Sequence, residues 1–226
     1  LSDEENRLLT SIGIANRRIF ETSQATRSLA GMGTTVVGAH FSSKKRKMFV
    51  GHVGDSRAYR IRAGDIQQLT RDHSLVNEPF PELTEAERAE LPKNVITRAL
   101  GMQDNVVVDL TTDEAQDGDV YLLCSDGLSG MLPDETILQE VTRFQKRVGP
   151  QPLNNKELEE LCDRLVQKAN EAGGEDNITA LAIRIQAEEI VPPSRRSTDP
   201  AIVPDTPLPD TPLSVESNGP SSTQPP

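Results

Sequence analysis

The segment Val120-Tyr121-Leu122-Leu123-Cys124-Ser125-Asp126-Gly127-Leu128 constrains the fold more than any other stretch of the chain. Its apolar run is a buried strand, and that strand delivers one carboxylate and one glycine onto its end. About fifty residues on, Gly173-Gly174-Glu175-Asp176-Asn177 sets a second carboxylate at the mouth of another strand, Ile178 to Ile185. Two aspartates carried on Gly-containing turns at strand ends can converge on one point. Acidic oxygens gathered there repel one another unless a hard cation lies among them. The pair therefore points to Mg²⁺ or Mn²⁺.

The rest of the chain supplies the frame for such a site. Ser2-Asp3-Glu4-Glu5 reads as a capping box opening a helix, with Leu8, Ile12, Ala15 and Ile19 at helical spacing. Gly31-Met32-Gly33 breaks the chain, and Thr34-Thr35-Val36-Val37 starts a strand. Further β-segments over residues 46–53, 56–62 and 66–69, with Gly54-Asp55 and Gly64-Asp65 at the turns, predict an antiparallel meander. Residues 74–95 lose this pattern around Pro79, Pro81 and Pro92 and a short acidic helix from Thr84 to Glu90, the composition of a flap beside a site. Strands return at Val106 to Leu110 and Asp119 to Cys124. Helices follow from Pro133 to about Arg147 and from Asn154 to about Ala172, the second with Leu158, Leu161, Leu165 and Ala169 on one face. The order predicts an α+β fold, stacked antiparallel β-sheets flanked by helices.

Charge and composition exclude other classes. The 226 residues suffice for one sizeable core, and 35 acidic residues against 24 basic ones give a net charge of −11. No basic stripe for nucleic acid exists; Lys44-Lys45-Arg46-Lys47 reads as a solvated hairpin turn. No apolar run is long enough for a bilayer helix, and no signal peptide is recognisable, although the chain starts at Leu1 rather than Met. Cys124 and Cys162 form neither a disulfide framework nor a zinc spacing, which places them as buried thiols in a reducing, cytoplasmic compartment. Ten of the 16 prolines fall in the final 39 residues, where Pro204-Asp205-Thr206-Pro207-Leu208 repeats as Pro209-Asp210-Thr211-Pro212-Leu213. Such a segment buries too little apolar surface to offset its ordering entropy, so 188–226 is expected to be a disordered tail behind a folded domain over 1–187.

The motifs, taken in order, resemble the metal-dependent type 2C (PPM) protein phosphatases in their bacterial serine/threonine form. The resemblance runs through Ala15-Asn16, Gly31-Met32-Gly33-Thr34-Thr35, Val53-Gly54-Asp55-Ser56-Arg57-Ala58-Tyr59 and Leu69-Thr70-Arg71-Asp72-His73-Ser74. It continues past the flap with Ile96-Thr97-Arg98-Ala99-Leu100-Gly101, Ser125-Asp126-Gly127-Leu128 and Asp176-Asn177. It implies that Asp126 and Asp176 ligate one ion of a two-metal centre, with Gly127 and Asn177 supporting them. It also implies that Asp72 contributes, with Asp126, to a third and weaker metal position near the flap. Glu175 falls outside the family register, and His73, a lone loop histidine, is given no catalytic role. Asp55 reads as a turn former, and Arg57 and Arg98 as partners of buried acceptors.

The implied reaction is hydrolysis of phosphoserine or phosphothreonine on proteins by a metal-activated water, opposing serine/threonine kinases, with phosphoproteins as partners and a monomer as the expected state. All-oxygen ligation selects Mg²⁺ or Mn²⁺ over zinc, and neither cysteine is needed as a nucleophile. The family's opening segment, with its phosphate-gripping Arg and metal-bridging Asp-Gly, finds no match before the first helix. The chain is thus expected to be an N-terminally incomplete, poorly active form of the domain. A regulatory module on the same fold, binding phosphoprotein without turnover, is the competing reading.

Overall fold

The computed structural model describes residues 1–80, 83, 84, 87, 90–92, 95–149 and 154–186. The Pro-rich tail expected over 188–226 and most of the acidic helix expected at Thr84 to Glu90 lie outside them.

The first helix, α1 (Asp3–Ala25), opens with the reciprocal bonds of a capping box between Ser2 and Glu5 and runs well past Asn16. Strands β1 (Val36–Ser42) and β2 (Lys47–Val53) form an antiparallel hairpin, and β2 also pairs with β5 (Asp109–Glu114). Strands β3 (Arg57–Arg62) and β4 (Asp65–Gln68) form a second hairpin. The buried strand β6 (Val120–Cys124) pairs with β3 on one side and with β7 (Ala180–Arg184) on the other. The described strands thus make two antiparallel sheets, ordered β1-β2-β5 and β4-β3-β6-β7. A short helix α2 (Asp126–Ser129) follows β6 directly, and α3 (Asp134–Val148) and α4 (Asn155–Glu171) complete the chain's helical layer. Pro133 stands at the N-cap of α3, and Asn154 and Glu157 form a second capping box on α4.

Alternation along the strands assigns each face. Tyr59, Ile61, Val120, Leu122 and Cys124 pack under Ile137, Val141, Phe144, Leu161 and Leu165 of α3 and α4. Ala58, Tyr121 and Leu123 point the other way and meet Met48 and Val50 between the sheets. Ile12 of α1 covers Val53 and Leu100 on the outer face of the first sheet. The layers therefore run helix, sheet, sheet, helices. Leu122 is wholly buried, so truncating it to Ala costs about 2–5 kcal/mol.

The meander expected over residues 46–69 is not what forms. β2 and β3 do not pair; they belong to different sheets, and Gly54-Asp55-Ser56 carries the chain across from one to the other. Gly54 makes the crossing at φ +109°, and a Cβ there would lie 2.4 Å from the Thr35 methyl carbon, so neither the backbone conformation nor the space admits a side chain. Ser56 Oγ and Thr35 Oγ1, 2.8 Å apart, fasten the crossing to the start of β1. The strand expected at Val106 to Leu110 begins three residues later, at Asp109, where its register is set by β2.

Candidate metal centre

Three chain segments meet at one rim of the sheet β4-β3-β6-β7. The β3–β6 register ends with Arg57 paired to Cys124, so the segments that adjoin them, with Asp55 on one and Asp126 on the other, come to the same rim. On the other flank β7 pairs Cys124 with Ala180, so the loop ahead of β7, which holds Asp176 and Asn177, adjoins the Asp126 turn.

The Asp126 and Asp176 loops are sewn together. Ser125 N–H donates to Thr179 O at 3.1 Å, Thr179 N–H donates to Ser125 Oγ at 3.0 Å, and Ser125 Oγ–H donates to Asn177 O at 3.0 Å. Asp126 Oδ1 accepts from Gly127 N–H at 2.9 Å, and Asp176 Oδ1 accepts from Asn177 N–H at 2.6 Å. Both carboxylates are exposed. Gly127 is glycine for want of space: a Cβ would lie 2.4 Å from Asn177 O. The structure thus brings Asp126, Gly127, Asp176 and Asn177 into one small region.

Asp55 is the residue that sequence reasoning passed over. It is half-buried, and its carboxyl is held above the usual carboxylate range by burial and then by the negative charges of Asp126 and Asp72. Among the described residues it has no ion-pair partner. Asp72 differs. Arg57 Nε donates to both of its oxygens at 3.0 Å, Arg57 Nη2 to Oδ2 at 2.7 Å and Gln68 Nε2 to Oδ1 at 2.9 Å. Its lone pairs are engaged by a guanidinium fork, whereas Asp55 lies within electrostatic reach of Asp126. Arg57 has the largely buried acceptor expected of it, whereas the acceptors of Arg98 are not buried: its Nη1 donates to the partly exposed Asp109 Oδ1 at 2.6 Å and to O of the exposed Val107 at 3.1 Å.

The donor chemistry at this rim fits a hard divalent cation. Asp55, Asp126 and Asp176 offer carboxylate oxygens alone, and Glu175 beside them is exposed. Cys124 is no competitor, since burial pushes its thiol up to about 12. The Asp55, Asp126 and Asp176 oxygens do not all lie within 4.8 Å of one another; among the described residues, the group of three whose ligand-type atoms do is His52, His73 and Asp109. It already holds a cation: Arg98 Nη1 lies 3.0 Å from His73 Nε2 and 2.6 Å from Asp109 Oδ1.

Stacked antiparallel sheets between helices, with carboxylates collected on the connecting loops, define an oxygen-liganded metalloprotein of αββα type. Residues 2–186 match the family described as Stage II sporulation protein E (SpoIIE). The chain is 37% identical over 182 residues to the serine/threonine phosphatase stp of Listeria monocytogenes, covering 79% of this chain and 67% of that one. It is 36% identical over 179 residues to protein phosphatase PhpP of Streptococcus pneumoniae, covering 78% and 67%. Among solved structures it is similar to the Mycobacterium tuberculosis serine/threonine phosphatase PstP/Ppp, with a TM-score of 0.68 at 33% identity over 82% of this chain and 74% of that one. The catalytic domain of PstP solved in complex with two manganese ions superposes equally, with a TM-score of 0.67 at 33% identity, covering 83% and 74%. The chain belongs to the type 2C family of bacterial serine/threonine protein phosphatases. It spans about two thirds of the length of the curated relatives it matches.

Proposed function

We propose that this chain hydrolyses phosphoserine and phosphothreonine on proteins with Mg²⁺ or Mn²⁺ held by Asp126, Asp176 and Asp55. The observation that carries the reading is the acidic rim. Asp55 and Asp126 lie close enough for the charge of one to hold up the pKa of the other, on loops bonded to the Asp176 turn. A bound divalent cation relieves that repulsion and supplies a nucleophilic water at neutral pH together with charge neutralisation at the phosphoryl oxygens.

The chain's own residues fix the donors. Ser125 ties the Asp126 turn to the Asp176 loop, and Gly127 lets the Asn177 carbonyl approach. Asp72, expected as the third-site ligand, takes a different part in this reading. It anchors Arg57 immediately beyond the crossing, and Asp55 stands in its place beside Asp126. Phosphoproteins are the substrates, a serine/threonine kinase the antagonist and the cytoplasm the compartment. The catalytic domain occupies 1–187, and the monomer is its working form.

The test is Mn²⁺-dependent release of phosphate from a phosphothreonine peptide, by the longest form its gene encodes and by its Asp126→Asn and Asp176→Asn variants. Each variant is expected to lose at least about 100-fold in kcat while keeping the parent's circular dichroism. Peptide binding without turnover in the parent would favour the regulatory module instead.

A further inference from the structure

His73 lies behind the metal centre, and its ring is committed on both nitrogens. Gly54 N–H donates to His73 Nδ1 at 3.0 Å, and the His73 backbone N–H donates to Gly54 O at 2.9 Å. One residue therefore grips both polar groups of the glycine that precedes Asp55. Accepting from Gly54 requires an unprotonated Nδ1, so the ring proton sits on Nε2, which points to Asp109 Oδ2 at 3.4 Å. Arg98 Nη1 donates to Asp109 Oδ1 and Val107 O, which fixes the Asp109 carboxylate beside the ring. On its other face His73 stacks on His52, with ring centroids 4.7 Å apart and planes 20° apart. The His52 ring is itself fixed by a 2.9 Å bond from Nε2 to Arg71 O. His73 is 5% exposed, so none of these positions is a surface accident.

Besides His73, the crossing is held by the bond between Ser56 Oγ and Thr35 Oγ1. Gly54 sits at a backbone conformation that costs a non-glycine residue dearly, and the bonds of neither sheet's ladder extend through Gly54, Asp55 and Ser56. The acceptor at Nδ1 fixes the peptide that joins Val53 to Gly54, and the His73 backbone N–H fixes the one that joins Gly54 to Asp55.

We propose that His73 is a positioning residue for the metal centre: its Nδ1 lone pair, held toward the Gly54 amide by Asp109 and His52, sets the turn that presents Asp55. This rests on the reading of Asp55, Asp126 and Asp176 as the metal-binding rim. His73 touches neither ion nor substrate; it acts through one backbone amide.

Two amide replacements separate this role from simple space filling, because Asn places its carbonyl oxygen near the imidazole Nδ1 position and Gln places its own near Nε2. The parent, His73→Asn, His73→Gln and His73→Ala are compared by Mn²⁺ titration calorimetry and, without metal, by hydrogen exchange of the Gly54 amide. Loss of a supporting bond behind a ligand typically weakens metal binding 10–100-fold. His73→Gln and His73→Ala are therefore expected to bind Mn²⁺ at least about 10-fold more weakly, with His73→Asn within about 3-fold of the parent. Gly54 exchange should quicken in the first two and stay slow in His73→Asn. Equal Mn²⁺ affinity in folded His73→Gln and parent, or equal weakness of the Asn and Gln variants, overturns the proposal. So does a ¹⁵N spectrum of the parent showing the proton on Nδ1, a measurement that needs no variant to fold. Asp126→Asn and Asp176→Asn are titrated alongside: unchanged affinity in those sinks the metal-centre reading, whereas unchanged affinity confined to His73→Gln sinks this proposal alone.

Discussion

Gly127→Ala is the sharpest perturbation of the site, because it adds one methyl group at the seam between its two loops. Gly127 lies in the first turn of α2 with an ordinary right-handed backbone, so alanine has no conformational penalty there and gains slightly in helix propensity. The whole effect must come from contact. The new Cβ would start 2.4 Å from Asn177 O and 3.0 Å from Asn177 C, where real Cβ contacts essentially never fall below 3.0 Å. The Asn177 backbone must therefore retreat by about 0.6 Å or more, and the bonds from Ser125 and Thr179 resist it. Overpacking of this kind costs about 1–3 kcal/mol, or a few degrees in Tm for a domain of this size. Metal–oxygen distances tolerate only about 0.2 Å, so a 0.6 Å displacement of the Asp176 loop is about three times that tolerance. Mn²⁺ affinity should fall about 10–100-fold, read by calorimetry, with Tm followed by scanning fluorimetry without metal. Gly13→Ala in α1 is the control: a Cβ there meets nothing within 4 Å, so it should raise Tm slightly and leave Mn²⁺ binding alone. A Gly127→Ala protein with the parent's Tm and Mn²⁺ affinity would refute the claim that the two loops are held at contact distance.

Arg57→Ala removes the fork that holds Asp72, leaving a carboxylate with 12% side-chain exposure and only Gln68 for a side-chain partner; stability should fall by about 2–4 kcal/mol in urea unfolding. Because Asp55 then shares its rim with an uncompensated neighbour, its carboxyl should titrate higher still, visible by ¹³C detection. At the opposite end of the molecule, the Lys45 hydrogen bond, chiefly, lowers Glu4 to about 2. A depressed carboxyl binds fewer protons folded than unfolded, so its contribution is present above pH 4.5 and fades as pH falls towards 2. Lys45→Ala should raise the Glu4 midpoint towards 4.5 by NMR titration and flatten the stability profile in that window. A Glu4 midpoint unmoved by the substitution would count against the pair.

How much of this site the sequence reveals depends on which distances along the chain matter. Asp126 and Gly127 are legible because an apolar strand and its turn are local: five residues of pattern place β6, and the next two can only be its exit. The capping boxes of α1 and α4 are legible for the same reason, each being closed within four residues. The error at Gly54-Asp55 comes from a question that local pattern cannot answer. A glycine-aspartate step between two β-segments satisfies a hairpin turn and a crossing between sheets equally well, and the choice is made by β5 and β6, which claim β2 and β3 from more than fifty residues away. Once β3 pairs with β6 in the register of Arg57 and Cys124, Asp55 is carried within electrostatic reach of Asp126. The same register decides Asp72. Arg57 on β3 reaches the segment that follows β4 and pairs with its carboxylate, so the aspartate beside the histidine is held by a guanidinium. A signal for this exists in the sequence, though not in its motifs. Arg57 is a cation two residues beyond an acidic crossing, and a half-buried guanidinium must pair with one of the nearby carboxylates, here Asp72.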